Sequence, residues 1–313
     1  MVVNLGLPVK QQRILNTCER IGACISILCS LWIIVTVSCS KYYKCRIYHR
    51  IMMCCSINII LLNITHLWGS AAIPKNYQSP YVDEYGNQHI IAGARGNITT
   101  CTVEGILDYI SQFAVPFYYV ALSLLSLAAV VYRFNLKDYM WIEKYIHVSV
   151  YAVPLGSGLY LLSKDAFNPS IRTCHLVSIP VGCGDESNYE IECIRGPQNI
   201  SQLQNIFMII PFLFIIIFPA FIMSIVYYKV RFCSGPRGRI VANSVAKQSG
   251  LYLFALYWIY FFKIIDESLI SRAGKYIFVT NVLSNTSQTL LGLWTLLVYK
   301  YFKSDDPTKF VMY

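Results

Sequence analysis

The sequence predicts an all-α membrane protein, a bundle of seven transmembrane helices with the N-terminus outside and the C-terminus in the cytoplasm. Three observations lead to this fold class. Hydrophobic residues make up 56% of the 313 residues and charged residues only 13%, whereas soluble domains contain about 25% charged residues. Seven long stretches contain no Asp, Glu, Lys or Arg at all. The basic residues are also distributed unevenly between the intervening loops.

The uncharged stretches predict where the chain crosses the membrane. They cover residues 21–40, 51–74, 109–132, 145–163, 196–228, 248–262 and 276–299. A helix needs about 20 mainly apolar residues to cross the hydrocarbon layer, and its backbone groups must be hydrogen-bonded within the segment. We therefore expect spans at about 17–40, 50–73, 103–133, 144–163, 206–229, 246–263 and 276–300. Together they form one domain over residues 1–313.

The basic residues predict the orientation of the spans. With the N-terminus outside, 15 of the 26 Lys and Arg residues but only four of the 16 Asp and Glu residues fall in cytoplasmic segments. Such an excess of Lys and Arg on the cytoplasmic side sets the orientation of membrane proteins. The first span alone is ambiguous, because Lys10 and Arg13 flank it on the outer side. The whole chain favours an outer N-terminus.

Glycosylation sequons and cysteines agree with this orientation. The sequons at Asn97 and Asn199 fall in predicted outer loops, where the modification is possible. Two other sequons, at Asn63 and Asn285, lie within spans and should not be modified. Four of the 12 cysteines lie in outer loops, which face an oxidising compartment: Cys101, Cys174, Cys183 and Cys193. Four cysteines allow three disulfide pairings.

Several short motifs lie near the ends of the predicted spans. They are Cys101-Thr102 and Arg133-Phe134 at the two ends of span three, Glu143-Lys144-Tyr145-Ile146-His147 in span four, Cys193-Ile194-Arg195-Gly196 in the second outer loop, Val245-Ala246-Lys247-Gln248 with Tyr252 in span six, and Leu297-Val298-Tyr299 in span seven. In order and placement they resemble G-protein-coupled receptors. They are most similar to the cyclic-AMP-receptor-like receptors of slime moulds and to orphan receptors of diatoms and other protists. The resemblance does not imply binding of cyclic AMP.

This resemblance implies a receptor in the plasma membrane that transmits the signal of an unknown extracellular ligand to a heterotrimeric G protein, without a cofactor. It implies the disulfides Cys101–Cys174 and Cys183–Cys193, which would fold the second outer loop over the outer mouth of the bundle. A purely structural role of both disulfides is the simpler interpretation.

The resemblance also implies a coupling role for Arg133 at the inner end of span three. Tyr132 occupies the place of the acid that often precedes this Arg. The alternative is that Arg133 is a cytoplasmic anchor of the kind that sets orientation. Four further basic residues could contact an acidic partner helix or only membrane phosphates: Arg231, Arg237, Arg239 and Lys247.

Two departures from the family pattern bear on activation. The acid that the family often carries in span two is absent, because Ser56 is followed by Ile57-Asn58-Ile59. In span seven, residues 289–295 keep only Gly292 of the usual Pro-x-Gln-Gly-x-x-Asn pattern. The sequence therefore does not predict a family-like polar network between spans two and seven.

Glu104 and Asp108 are the candidate ligand-binding residues. They are four residues apart and so share one face of span three, and Asp108 lies seven residues after Cys101. Amine-binding rhodopsin-like receptors carry an acid at the same offset, so the resemblance implies pairing with a ligand cation. The alternative is that both acids lie at the water interface and point outward.

Other functional classes fit the sequence less well. A seven-span transporter or channel is the main alternative and predicts internal repeats and polar groups near the midplane, but the chain shows no repeat. A retinal photoreceptor needs a Lys within a span for its Schiff base, and residues 276–299 contain none. We expect no enzyme, catalytic residue or metal site, because no cluster of suitable side chains lies in a span. Nucleic-acid binding is also not expected, since the basic residues form no single stripe. A receptor-like protein that no longer couples stays an alternative.

Overall fold

The chain folds into a mainly helical protein with several membrane-length helices. The computed structural model describes residues 8–82, 88–131, 141–170, 173–180, 183, 192–233, 247, 250–265 and 277–304. Five helical segments are long and apolar enough to cross a membrane: Val9–Cys39, Ile47–Ala72, Ile98–Ala128, Ile142–Ser163 and Ile200–Phe232. By helix length and hydropathy, the chain is therefore a multi-pass membrane protein.

These segments are built from regular helices with a few irregular turns. In chain order the helices are α1 (Val9–Cys39), α2 (Lys41–Lys44), α3 (Ile47–Trp68), α4 (Ile98–Val131), α5 (Ile142–Ser163), α6 (Ile200–Gln204), α7 (Ile210–Tyr228), α8 (Gly250–Ile265), α9 (Phe278–Thr289) and α10 (Leu291–Ser304). A 3-10 turn (Gly69–Ala72) extends α3, and π-helical turns (Asn205–Ile209 and Lys229–Cys233) lie at the two ends of α7.

The last two predicted spans differ from the other five. The described part of span six, α8, is a shorter apolar helix. The predicted seventh span, 276–300, is divided at Leu290 into α9 and α10. The end of α9 consists of the polar residues 286–289, so α9 alone is not apolar enough to count as a membrane-length helix. Five membrane-length helices and two shorter apolar helices are thus present in the described chain.

Two short hairpins lie at one end of the bundle, which we call the hairpin end. Strands β1 (Gln78–Val82) and β2 (Gln88–Ile90) pair between α3 and α4, and strands β3 (Phe167–Pro169) and β4 (Cys174–Leu176) pair between α5 and α6. Both pairs are antiparallel. The sequence had indicated only loops here. The pairing gives the backbone groups of these strands hydrogen-bond partners.

Small residues bring α1 close to α10. Gly22, Ser26 and Ser30 follow one another at four-residue intervals and therefore share one face of α1. The backbone N–H of Gly292 donates to the hydroxyl of Ser26 (2.7 Å), and a Cβ atom at Gly292 would lie only 2.8 Å from Ser30 Oγ. Small residues of this kind let membrane helices approach closely. The first and last described helices thereby close the bundle.

The central helix is α4. It packs against α3, α5 and α7 and against hairpin β3–β4. Its residues Tyr118 and Tyr119 are each only 1% exposed, and both hydroxyls have partners on other helices: His147 Nδ1 (3.0 Å) for Tyr118 and Thr295 Oγ1 (2.7 Å) for Tyr119. Much of the α4 surface is therefore covered by other elements, and several of its polar residues, such as Ser111 and Ser123, lie inside the protein.

Candidate functional site

The two acids predicted as ligand-binding residues lie inside the bundle, near the hairpin end. Glu104 is 1% exposed and Asp108 is 5% exposed. The sequence had left open that both point outward into water, and their burial contradicts that alternative. Ionisable groups inside a membrane bundle are costly, and they are commonly paired or functional.

Glu104 is attached to the second hairpin. Its Oε2 atom accepts a hydrogen bond from the backbone N–H of Cys174 (2.9 Å). Cys174 is also joined by a disulfide to Cys101, which lies three residues before Glu104. Hairpin β3–β4 is thus attached to α4 by one covalent bond and by one hydrogen bond to the Glu104 carboxyl group, and it covers Glu104 from the hairpin end.

Asp108 is held by α3 and by its own helix. Its Oδ2 atom accepts from the amide of Gln112 (2.8 Å), and its Oδ1 atom lies 3.0 Å from the hydroxyl of Thr65. The same hydroxyl lies 2.6 Å from the carbonyl oxygen of Leu62. A hydroxyl has only one proton to donate, so Asp108 and Leu62 compete for it. Among the described residues, only Gln112 donates to Asp108 without competition.

No ion pair neutralises either acid within the part of the chain that the structure describes. The Lys, Arg and His nitrogens there all lie more than 4.0 Å from both carboxyl groups. The charge of Lys263, near the end of α8, acts on Asp108 from a greater distance. The two acids therefore form a buried carboxyl pair whose hydrogen bonds come from neutral groups.

His175 belongs to the hairpin that covers this pair. It lies on β4 opposite Asn168 and outside the helices. Burial, together with the positive charge of Lys263, lowers the pKa of His175 to about 4. His175 is thus neutral at pH 7 and adds no positive charge to the site.

Some residues of this site have a sequence signal and others have none. Gln112 lies four residues after Asp108, so helical spacing could have placed it on the same face as the acids. Thr65 is 43 residues away from Asp108 along the chain, and no spacing rule connects them. No spacing rule connects His175, which directly follows Cys174, to the acids either.

The structure joins Cys101 to Cys174 and Cys183 to Cys193, which is the pairing that the receptor resemblance implies. Asn97 and Asn199 are exposed near the hairpin end. Asn97 also caps α4, because its Oδ1 atom accepts from the backbone N–H of Thr100 (2.9 Å). Both sequons are sterically open to modification.

The predicted coupling residues are only partly within the described chain. Arg133, Arg237 and Arg239 lie outside the described residues, and Arg231 and Lys247 are exposed. They stay predictions. Within the ranges described above, no group of three or more His, Cys, Asp or Glu side chains could hold a metal ion.

A tyrosine network connects the helices at the end opposite the hairpins. The hydroxyl of Tyr48 on α3 lies 3.0 Å from the hydroxyl of Tyr252 on α8. His49 Nδ1, also on α3, lies 3.0 Å from the hydroxyl of Tyr299 on α10. With Tyr119 bonded to Thr295, these contacts join α3, α4, α8 and α10. α3 and α10, which lie in the predicted spans two and seven, are therefore linked by side chains other than those of the family pattern.

An ion pair connects α3 to α5 at the same end. Arg50 Nε donates to both carboxyl oxygens of Glu143 (2.8 and 3.0 Å), and Arg50 Nη2 donates to Oε2 (2.5 Å). His147 Nε2 lies 3.7 Å from Oε1 of the same carboxyl group. Such a bidentate ion pair fixes the relative position of the two helices.

Comparisons with known proteins do not assign the chain to a family. No protein-family model matches it, and no curated protein matches it.

Proposed function

We propose that this protein is a G-protein-coupled receptor of the plasma membrane, with seven spans, that transmits an extracellular ligand signal to a heterotrimeric G protein. The motifs in the sequence suggest this class. The five membrane-length helices and the two shorter apolar helices are compatible with seven spans. In this proposal the hairpin end faces outward and the tyrosine network faces the cytoplasm.

The orientation is supported by features that lie together at the hairpin end. Both sequons and both disulfides are found there, and glycosylation and disulfide formation both belong to the outer side of the plasma membrane. The excess of basic residues in the opposite loops agrees with this assignment.

The observation that carries the proposal is the buried carboxyl pair beneath a covalently attached hairpin. The described residues offer these carboxyl groups no ion-pair partner, and a cationic ligand would supply one. Its binding would favour one arrangement of the helices over another, and only such a difference in affinity can shift an equilibrium. We therefore assign Asp108, with Glu104 beside it, to the ligand site.

At the other end, the tyrosine network would hold the closed arrangement. An opening that admits a G protein requires α8 to separate from α3, and that movement breaks the contact between Tyr252 and Tyr48. The free energy of ligand binding would offset this loss. The two sites are thereby linked through α4, which carries Asp108 near one end and Tyr119 closer to the other.

The proposal is tested by nucleotide exchange on a panel of G-protein α subunits, with this protein in membranes. Basal exchange that disappears in Arg133→Ala would establish coupling. If no α subunit responds, either alone or with a panel of cationic candidate ligands, the receptor assignment is contradicted. Flux measurements on reconstituted vesicles would then test the transporter alternative.

A further inference from the structure

A lateral groove lies between α4, α5 and α7. Its volume is about 380 Å³, which is near the lower end of the range of about 300–1,000 Å³ that ligand pockets occupy. Its main walls are Phe117, Ala121 and Ala128 on α4, Ile146 on α5, and Phe214 and Phe218 on α7. Ser149 is the one polar side chain among the described lining residues, and its hydroxyl donates to the carbonyl of Ile146 in its own helix (2.9 Å).

The groove lies at the depth of the hydrocarbon layer. All three helices belong to membrane-length segments, and the uncharged stretch of α4, residues 109–132, is centred near residue 120. The groove extends along α4 from Phe117 to Ala128, a rise of about 16 Å. This is about half of a hydrocarbon layer about 30 Å thick. The groove therefore follows a single leaflet, from the midplane towards the end opposite the hairpins.

The groove is open to the lipid from the side. Leu124 on its α4 wall is 43% exposed, and Phe214 on its α7 wall is 47% exposed. The rings of Phe214 and Phe218 are stacked, with centroids 4.7 Å apart, and form one flat wall. A lipid chain can enter without passing through the protein.

We propose that this groove binds one acyl chain of a glycerophospholipid from that leaflet. The walls are no more apolar than the lipid itself, so the driving force is packing and not the hydrophobic effect. An unfilled groove would lose dispersion contacts along three helices, whereas a chain in the groove touches protein on several sides. An unbranched chain without polar groups matches a lining that offers no free hydrogen-bond donor.

Charge at the end of the groove fits the lipid headgroup. Lys229 lies eleven residues after Phe218, which is about three helical turns, and therefore on the same side of α7. Its side chain is partly exposed, and Lys side chains near helix ends extend to the membrane interface. A phosphate group of a lipid whose chain lies in the groove would meet this charge. The assignment to the cytoplasmic leaflet rests on the proposed function and its topology, but the occupancy of the groove does not.

The test is photolabelling of the full chain in phosphatidylcholine nanodiscs that contain a phosphatidylcholine with a diazirine in the middle of one chain. We expect the label on peptides that contain residues 117–128, 142–150 and 214–218. Ala128→Phe should lower this labelling about five-fold or more, equivalent to about 1 kcal/mol, because the ring fills the groove. Ala152→Phe is the matched control: Ala152 is exposed on α5 outside the lining, and labelling should not change.

Three outcomes would overturn the proposal. Labelling that is equally strong on the exposed face of α1 would indicate ordinary surrounding lipid. Equal labelling of Ala128→Phe and Ala152→Phe would show that the groove is not the binding site. Groove labelling by a photoreactive sterol, with none by the phospholipid, would identify a different occupant. If Ala128→Phe does not fold, Ala121→Leu, which also narrows the groove, replaces it and should likewise lower the labelling. None of these results depends on coupling to a G protein.

Discussion

Replacing Tyr252 with Phe removes one hydroxyl group from the tyrosine network and keeps the ring. The Tyr252 side chain is 2% exposed, and its hydroxyl lies 3.0 Å from that of Tyr48, so the change removes one hydrogen bond between α8 and α3. A hydrogen bond between neutral groups contributes about 0.5–1.5 kcal/mol, and such bonds between membrane helices average about 0.6 kcal/mol. If the bond exists only in the closed arrangement, its loss should raise basal nucleotide exchange about 3- to 12-fold.

Thermal unfolding in detergent provides a second measurement that needs no G protein. Tyr48→Phe and Tyr252→Phe should each lower the free energy of unfolding by about 0.5–1.5 kcal/mol, and the double variant should lose no more than either single variant. Tyr145→Phe is the matched control, because Tyr145 is 56% exposed and its hydroxyl has no hydrogen bond among the described residues. Additive losses, or basal exchange that matches the control, would refute the reasoning.

Three further predictions concern the acids, the hairpin and the ion pair. Asp108→Asn should abolish the response to a cationic agonist in the exchange assay, because an amide cannot neutralise a cation; an unchanged response would exclude Asp108 from the site. The pKa of His175 is about 4 in the folded protein, against 6.5 for an unperturbed histidine, so the unfolded chain takes up a proton at a higher pH than the folded protein does. The free energy of unfolding should therefore fall by about 1–3 kcal/mol as the pH drops from about 6.5 to 4. Thermal unfolding should show this slope in the native protein but not in His175→Gln, and identical slopes would contradict it. Arg50→Ala leaves the carboxylate of Glu143 without its main partner and should lower the free energy of unfolding by about 1–3 kcal/mol. Adding Glu143→Gln should recover part of that loss, and no recovery would mean that the ion pair is not the cause.

The local composition of the chain predicted most of the helices. The uncharged stretches at 21–40, 51–74 and 145–163 lie almost entirely within α1, α3 with its 3-10 turn, and α5, because insertion into lipid selects for continuous apolar segments. The absence of charged residues predicted the helix less exactly at residues 276–299, because a run of polar residues precedes Leu290 and the helix is divided there. A lack of charge does not distinguish an apolar helix from a helix whose polar side chains face other helices.

The candidate site was only partly predictable. Helical spacing placed Glu104 and Asp108 on one face, because residues four positions apart lie on the same side of a helix. Their partners depended on the packing of distant segments: Cys174 on hairpin β3–β4 for Glu104 and Thr65 on α3 for Asp108. The hydrogen bond from the Cys174 backbone to Glu104 joins residues 70 positions apart, and a backbone donor leaves no trace in the sequence.

Sequence by itself determined that this chain enters a membrane, roughly where it crosses, and which face of α4 carries acids. These properties depend on the hydropathy and spacing of neighbouring residues, so they can be read locally. Only the tertiary structure decided which polar groups meet. Tyr48 and Tyr252 are 204 residues apart and Tyr119 and Thr295 are 176 apart. Such contacts form because packing of the helices brings distant positions together, and their geometry depends on every helix in the bundle at once.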